Sequence, residues 1–279
     1  MIQTILIPVD GSDHSKTAID YGIYIAEKLG AELIGLHVID IRLMQGPIVG
    51  DVTGTISPPL YQDAVATVEA SLEGRADSIL KDFRERCSNK GLCREVKKVV
   101  GVIDDAIMEE GKNADWILLA QRGKHFHIDD GAILGSTAES VVRHSGKPVL
   151  VTPENFMEIE SIALAYDGSQ PADHALELVI ALSEKALWPL TVITISSDSR
   201  EADSIIRKLE RRLESLTIEA ETLIFTGKED KILLNFIREG SVEMIVMGAF
   251  GHNRLHEFFL GSTTSSVIRK SQIPVLLTR

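Results

Sequence analysis

Two tandem α/β domains, each a doubly wound parallel sheet of five strands, are predicted by three observations on this sequence. The end of each half is nearly the same: GSTAESVVRHSGKPVLV at 135–151 returns as GSTTSSVIRKSQIPVLL at 261–277, 126 residues later. The start of each half returns too: IPVDGSDHSKTA at 7–18 matches AYDGSQPADHA at 165–175, 157 residues later. Self-similarity this long marks one unit used twice. Finally, short β-branched runs alternate with amphipathic stretches throughout, the order that winds helices around a parallel sheet.

Taken in order, the first half offers strands at Thr4–Val9, Glu32–Ile39, Cys93–Val100, Trp116–Ala120 and Pro148–Thr152. Their apolar runs are nearly unbroken, as in strands covered on both faces. Ser12 can cap a first helix whose apolar residues Ala18, Tyr21, Ile25 and Leu29 recur at three or four positions, and Gly30 can end it. The longest helical stretch runs from about Asp63 to Ser88, with others at Asp104–Gly111 and Ser136–His144. The second half repeats the plan. Its strands are Ser161–Tyr166, Leu190–Ser196, Thr217–Phe225, Met244–Gly248 and Pro274–Thr278, and its helices start near Pro171, Asp198, Glu229 and Ser262.

Thr152–Glu160 joins the halves, which gives domains over 1–153 and 159–279. The two repeat offsets differ by 31 residues. The deficit falls mostly after strand two, where the first half carries the Gly/Pro-rich segment Asp40–Leu60 and the second only Ser196–Ser199. That segment is expected to be an ordered excursion or lid. The final strands, Val149–Thr152 and Val275–Thr278, are apolar edges of the kind that are covered or paired, so they are expected to pair across the halves as an intrachain pseudo-dimer. A further homodimer is not fixed by the sequence.

The 279 residues suit two domains of ~100–150 residues each. A formal net charge of −12, with scattered Lys and Arg, argues against nucleic acid as a partner. No uncharged apolar stretch approaches the ~20 residues of a membrane span, and Met1 opens directly on the strand-like run IQTILIPV. A cytoplasmic protein is therefore expected, with Cys87 and Cys93 as reduced thiols.

The sharpest chemical signal is Gly248-Ala-Phe-Gly251, nine residues, then Gly261-Ser262-Thr263. It follows the apolar run EMIVM and opens a helix. Glycines let the backbone turn tightly and approach a ligand, and the free N–H groups at a helix start suit a di- or triphosphate. Hydroxyls on Ser262, Thr263 and Thr264 add donors.

With P-V-D-G-S at 8–12, Y-D-G-S at 166–169 and the two P-V-L endings, this G-x-x-G-x9-G-S pattern resembles the universal stress protein family in its tandem form, over essentially the whole chain. The resemblance implies an adenine nucleotide α-hydrolase-like sandwich that binds ATP, ADP or AMP, with Mg2+ accompanying the nucleotide. Carried over, the adenosine-holding roles fall on Asp167 and the backbone at Ile195. The phosphate-holding roles fall on Gly248, Gly251, His252, Gly261, Ser262, Thr263 and Thr264. In the first half Asp10, Val38, Gly123, Gly135, Ser136 and Thr137 still fit. There, however, Ala120 stands for Gly248 and Ala138 for Thr264, and the spacer grows to eleven residues carrying Asp129 and Asp130. About one nucleotide per chain is thus expected, in the second half, with an altered first site.

Asp10 and Asp167 also suit a turn or helix cap without ligand. His125, His127, Asp129 and Asp130 have metal-ligand chemistry, although a polar surface loop explains them as well. His252 and His256 would share a helix face. No Walker lysine, Ser/His/Asp set or Cys/His pair can be placed, and the loop after strand one lacks the pattern of an adenylating enzyme. The expected function is an ATP-binding stress-response regulator without a dedicated catalytic centre. A slow ATPase or phosphotransferase and a nucleotide-free interaction module are the alternatives.

Overall fold

The computed structural model describes residues 2–44, 58–123, 135–196, 199–216, 219–248 and 260–278. Most of the Asp40–Leu60 excursion, the His125/His127 loop with Asp129 and Asp130, and Gly251, His252 and His256 lie outside these residues.

The first half contains β1 (Thr4–Pro8), α1 (Asp13–Leu29), β2 (Glu32–Asp40), the single-turn α2 (Ile41–Met44), α3 (Pro58–Ser88), β3 (Cys93–Gly101), α4 (Ile103–Gly111), β4 (Trp116–Ala120), α5 (Ser136–His144) and β5 (Val149–Thr152). The second contains β6 (Ile162–Ala165), α6 (Gln170–Ala186), β7 (Leu190–Ile195), α7 (Ser199–Leu216), β8 (Ala220–Phe225), α8 (Glu229–Arg238), β9 (Met244–Gly248), α9 (Ser262–Lys270) and β10 (Val275–Thr278). All ten strands form one sheet in the order β3-β2-β1-β4-β5-β10-β9-β6-β7-β8. Pairing is parallel within each half. Among the described residues the single antiparallel pair is β5 with β10, where Leu150 faces Leu276.

Alternation along each strand builds a core on both faces of this sheet. Ile5 and Ile7 join the layer under α1 and α3, while Leu6 joins the layer under α4 and α5. Leu150 and Leu276 belong to the first layer and Val149, Val151, Val275 and Leu277 to the second, so both layers run unbroken through the seam.

The joining segment is tied to α1. Thr17 Oγ1 donates to the Glu154 carbonyl at 2.9 Å and Tyr24 OH to that of Ile159 at 2.7 Å. Tyr21 OH donates to the Asn155 carbonyl at 3.1 Å and accepts from Met157 N at 3.1 Å. Phe156 sets its ring edgewise against Tyr21, centroids 4.9 Å apart.

Helix ends follow local chemistry. Ser12 caps α1 by accepting from Ser15 N, and Gly30 closes it in the left-handed region at φ 59°. Ser169 caps α6 in the same way, but its closing residue is Leu187 at φ 58°, with the side chain 85% exposed. A left-handed conformation strains any residue with a Cβ. Replacing Leu187 with Gly is therefore expected to stabilise the protein by about 1 kcal/mol, read as a rise in the urea midpoint at unchanged slope.

Candidate functional site

The strand order places a switch between β1 and β4, whose helical crossovers depart in opposite directions. Ligands in open α/β sheets bind at such points, beyond the carboxyl ends of the strands. A cavity of about 310 Å³ lies there in the first half. Its apolar walls include Val9, Val38, Ile103, Ile107 and Leu119. Its polar lining includes Asp10, His37, Arg75, Arg122, Ser136 and Thr137, with Gly123 and Gly135. All six first-half residues that the sequence singles out thus meet at one cavity.

The Asp10-Gly11-Ser12 turn shapes one wall. Asp10 Oδ1 accepts from Ser12 N at 2.9 Å and Ser12 Oγ at 2.6 Å, while Asp10 N donates to Ser15 Oγ at 3.2 Å. Gly11 sits at φ 78°, and a Cβ there would stand 2.9 Å from Ile79 on α3. Asp10 is therefore part of a turn and also faces the cavity, while the helix cap itself is Ser12. The adjoining wall is the turn after β4. A Cβ on Gly123 would stand 2.9 Å from Asp10 Oδ2, so a glycine brings this turn against the carboxylate. Gly135 N donates to the Gln121 carbonyl at 2.8 Å, which sets the start of α5 beside the turn. Among the described residues no side chain caps α5, so its first N–H groups form an open, positive helix end. Gln121 Nε2 also reaches the second half, donating to the Ile268 and Ser271 carbonyls at 2.8 and 2.9 Å.

His37 holds the floor. Its Nδ1 lies 2.6 Å from the Val9 carbonyl, which makes that nitrogen the donor. Burial, the leading influence, holds its pKa below the usual 6.5, so the imidazole is neutral at neutral pH. Arg75 on α3 donates through Nη2 to the Asp10 carbonyl at 3.1 Å, bringing a guanidinium to the cavity mouth. Asp40, also in the lining, is held by Arg42 with Nη2–Oδ2 at 2.7 Å.

The second half repeats the frame. Asp167 Oδ1 accepts from Ser169 N at 2.9 Å, Gly168 sits at φ 75°, and Ile195 ends β7. Thr194 Oγ1 donates to the Tyr166 carbonyl at 3.1 Å, the place that His37 fills against Val9. Gly248 ends β9, where a Cβ would stand 2.9 Å from main chain at Pro171. Packing against α6 alone therefore demands this glycine. Gly261 differs: among the described residues a Cβ there would meet only Thr264 Oγ1, at 3.8 Å. Thr264 is buried, Ser262 is exposed, and Thr263 Oγ1 donates to Glu229 Oε2 at 3.2 Å.

Arg75, Arg122 and His37 were not singled out by the motif reading. Arg75 reaches the cavity from a helix 65 residues away, with no motif to mark it. Arg122 was open to discovery by aligning the halves, since Phe250 stands at its place. The cysteines are free, and burial pushes the Cys87 thiol up to about 12, which leaves it protonated and inert. Among the described residues no helix is long and apolar enough to cross a membrane.

A model of the universal stress protein family matches residues 1–153 and again 158–279. A universal stress protein of Synechocystis sp. is 27% identical over all of both chains. One of Mycobacterium tuberculosis is 22% identical over 99% of this chain and 94% of its own. The crystal structure of a universal stress protein from Archaeoglobus fulgidus superposes with a TM-score of 0.77 at 25% identity, covering 99% of this chain and 98% of that one.

Proposed function

The chain belongs to the universal stress protein family, and from that premise we propose that it is an adenine-nucleotide-binding regulatory protein of the cytoplasm without a dedicated catalytic centre. The observation that carries this reading is the first-half cavity, which combines an apolar slot with an uncapped helix start at the sheet's switch point. The slot between Val9, Val38, Ile103 and Ile107 fits a flat heterocycle, and the carboxylate of Asp10 fits a ribose hydroxyl. The N–H groups opening α5 and the turn at Gly123 fit phosphate, and Mg2+ would enter with the phosphates as it accompanies ATP in solution.

A binding role is favoured over turnover by how the lining groups beside Asp10 are used. Ser15 is bound into the Asp10 turn, and His37 is held neutral on Val9. Positioned N–H groups alone would leave at most slow hydrolysis.

Titration calorimetry with ATP, ADP, AMP and adenosine tests the reading. The double variant Gly135→Val, Gly261→Val blocks the backbone approach at both helix starts and is expected to weaken nucleotide binding by about 100-fold or more. Wild type is expected to release no product over many minutes of incubation with ATP. Steady turnover that the double variant loses would move the protein to the ATPase reading.

A further inference from the structure

We infer that the halves are specialised by charge: the first accepts a nucleoside polyphosphate and the second refuses it, although the second keeps the fuller glycine pattern. This rests on the nucleotide-binding reading above and deepens it.

The two sites can be compared wall by wall, because the registers correspond. Ala76, Leu80, Phe83 and Cys87 are the buried face of α3, and Ala202, Ile206, Leu209 and Leu213 are that of α7, each 126 residues later. Ile79 and Ile205 lie against the glycines of the two Asp-Gly-Ser turns. On that register Glu201 occupies the helix position of Arg75. Next, Ser140 Oγ donates to Asp104 Oδ2 at 2.6 Å, and Ser266 Oγ to Asp230 Oδ2 at 3.2 Å. That shared bond equates Ile103, an apolar wall of the first cavity, with Glu229. In sequence, Arg122 of the turn after β4 aligns with Phe250.

The first cavity thus presents Arg75 and Arg122, while its acid Asp40 is matched by Arg42 and Asp10 lies in its turn. At the second site a carboxylate replaces the isoleucine. Glu229 accepts from Thr263 Oγ1, the hydroxyl that the glycine motif would offer to phosphate. A bound polyphosphate would have to displace this bond and then face the carboxylate. Like charges a few ångströms apart oppose binding, and opposite charges favour it.

The test is ATP stoichiometry by calorimetry at low salt. Wild type is expected to bind one ATP per chain, lost in Gly135→Val and kept in Gly261→Val. Arg75→Glu is expected to weaken ATP about tenfold while leaving adenosine within about twofold. The double variant Glu201→Arg, Glu229→Ile is expected to gain a second ATP site, with thermal melting confirming that it folds. Two equal ATP sites in wild type, one site lost with Gly261→Val, or a double variant that still binds one ATP would each overturn the inference. Wild type that binds no nucleotide of any kind would instead overturn the functional reading beneath it.

Discussion

Leu276→Asp is expected to cost about 3–5 kcal/mol of stability, the largest effect of any single change considered for this fold. Leu276 is fully buried and faces Leu150, also fully buried, across the antiparallel seam. It lies in the core layer shared by both halves, so no rotamer carries a carboxylate to water. Relaxation by separating the strands would expose Val149, Val151, Val275 and Leu277 on the other face as well. Leu150→Asp should act alike. Urea unfolding measures both, and a loss below about 1 kcal/mol would show that the seam does not bury its central pair.

Gly35→Val should be nearly as severe, at about 3 kcal/mol. Gly35 is on β2 beneath α3, and a Cβ there would stand 2.5 Å from Cδ1 and 2.7 Å from Cε1 of Phe83. Phe83 is fully buried, so its ring has nowhere to go and the helix must lift. The same helix carries Leu72 and Arg75 into the cavity, so nucleotide affinity should fall although residue 35 does not line it. Gly74→Ala is the control. Nothing lies within 4 Å of its added Cβ, and alanine is the better helix former, so stability should hold or rise. Equal losses for the two variants would sink the packing argument.

The fold was legible because its signal is local. Apolar runs and caps located every strand and nearly every helix, with ends displaced by a few residues. β8 begins at Ala220 where the apolar run suggested Thr217, and β3 ends at Gly101 where it suggested Val100. Such ends depend on pairing and packing, which a run of residues does not encode. The four residues of α2 are too few to show a period. The candidate site was legible where it is a motif, as in the Asp-Gly-Ser turns and the glycine-led helices. It was not legible where walls come from distant elements: Arg75, Ile103 and Glu229 acquire meaning only once α3, α4 and α8 are set against the strand ends. Gly248 is the complementary case. The motif assigned it to a ligand, whereas contact with Pro171 already accounts for it.

The antiparallel pairing of β5 with β10 inside one chain has a consequence for how such a protein can change over generations. In an assembly of identical subunits every substitution is copied by the symmetry to each site, and dilution pulls the partners apart. Here the partners share one gene product, and the tether holds them at a fixed effective concentration however scarce the protein becomes. Mutation can then alter one pocket and spare the other, so a duplicated half is free to drift toward a different task while its twin keeps the original.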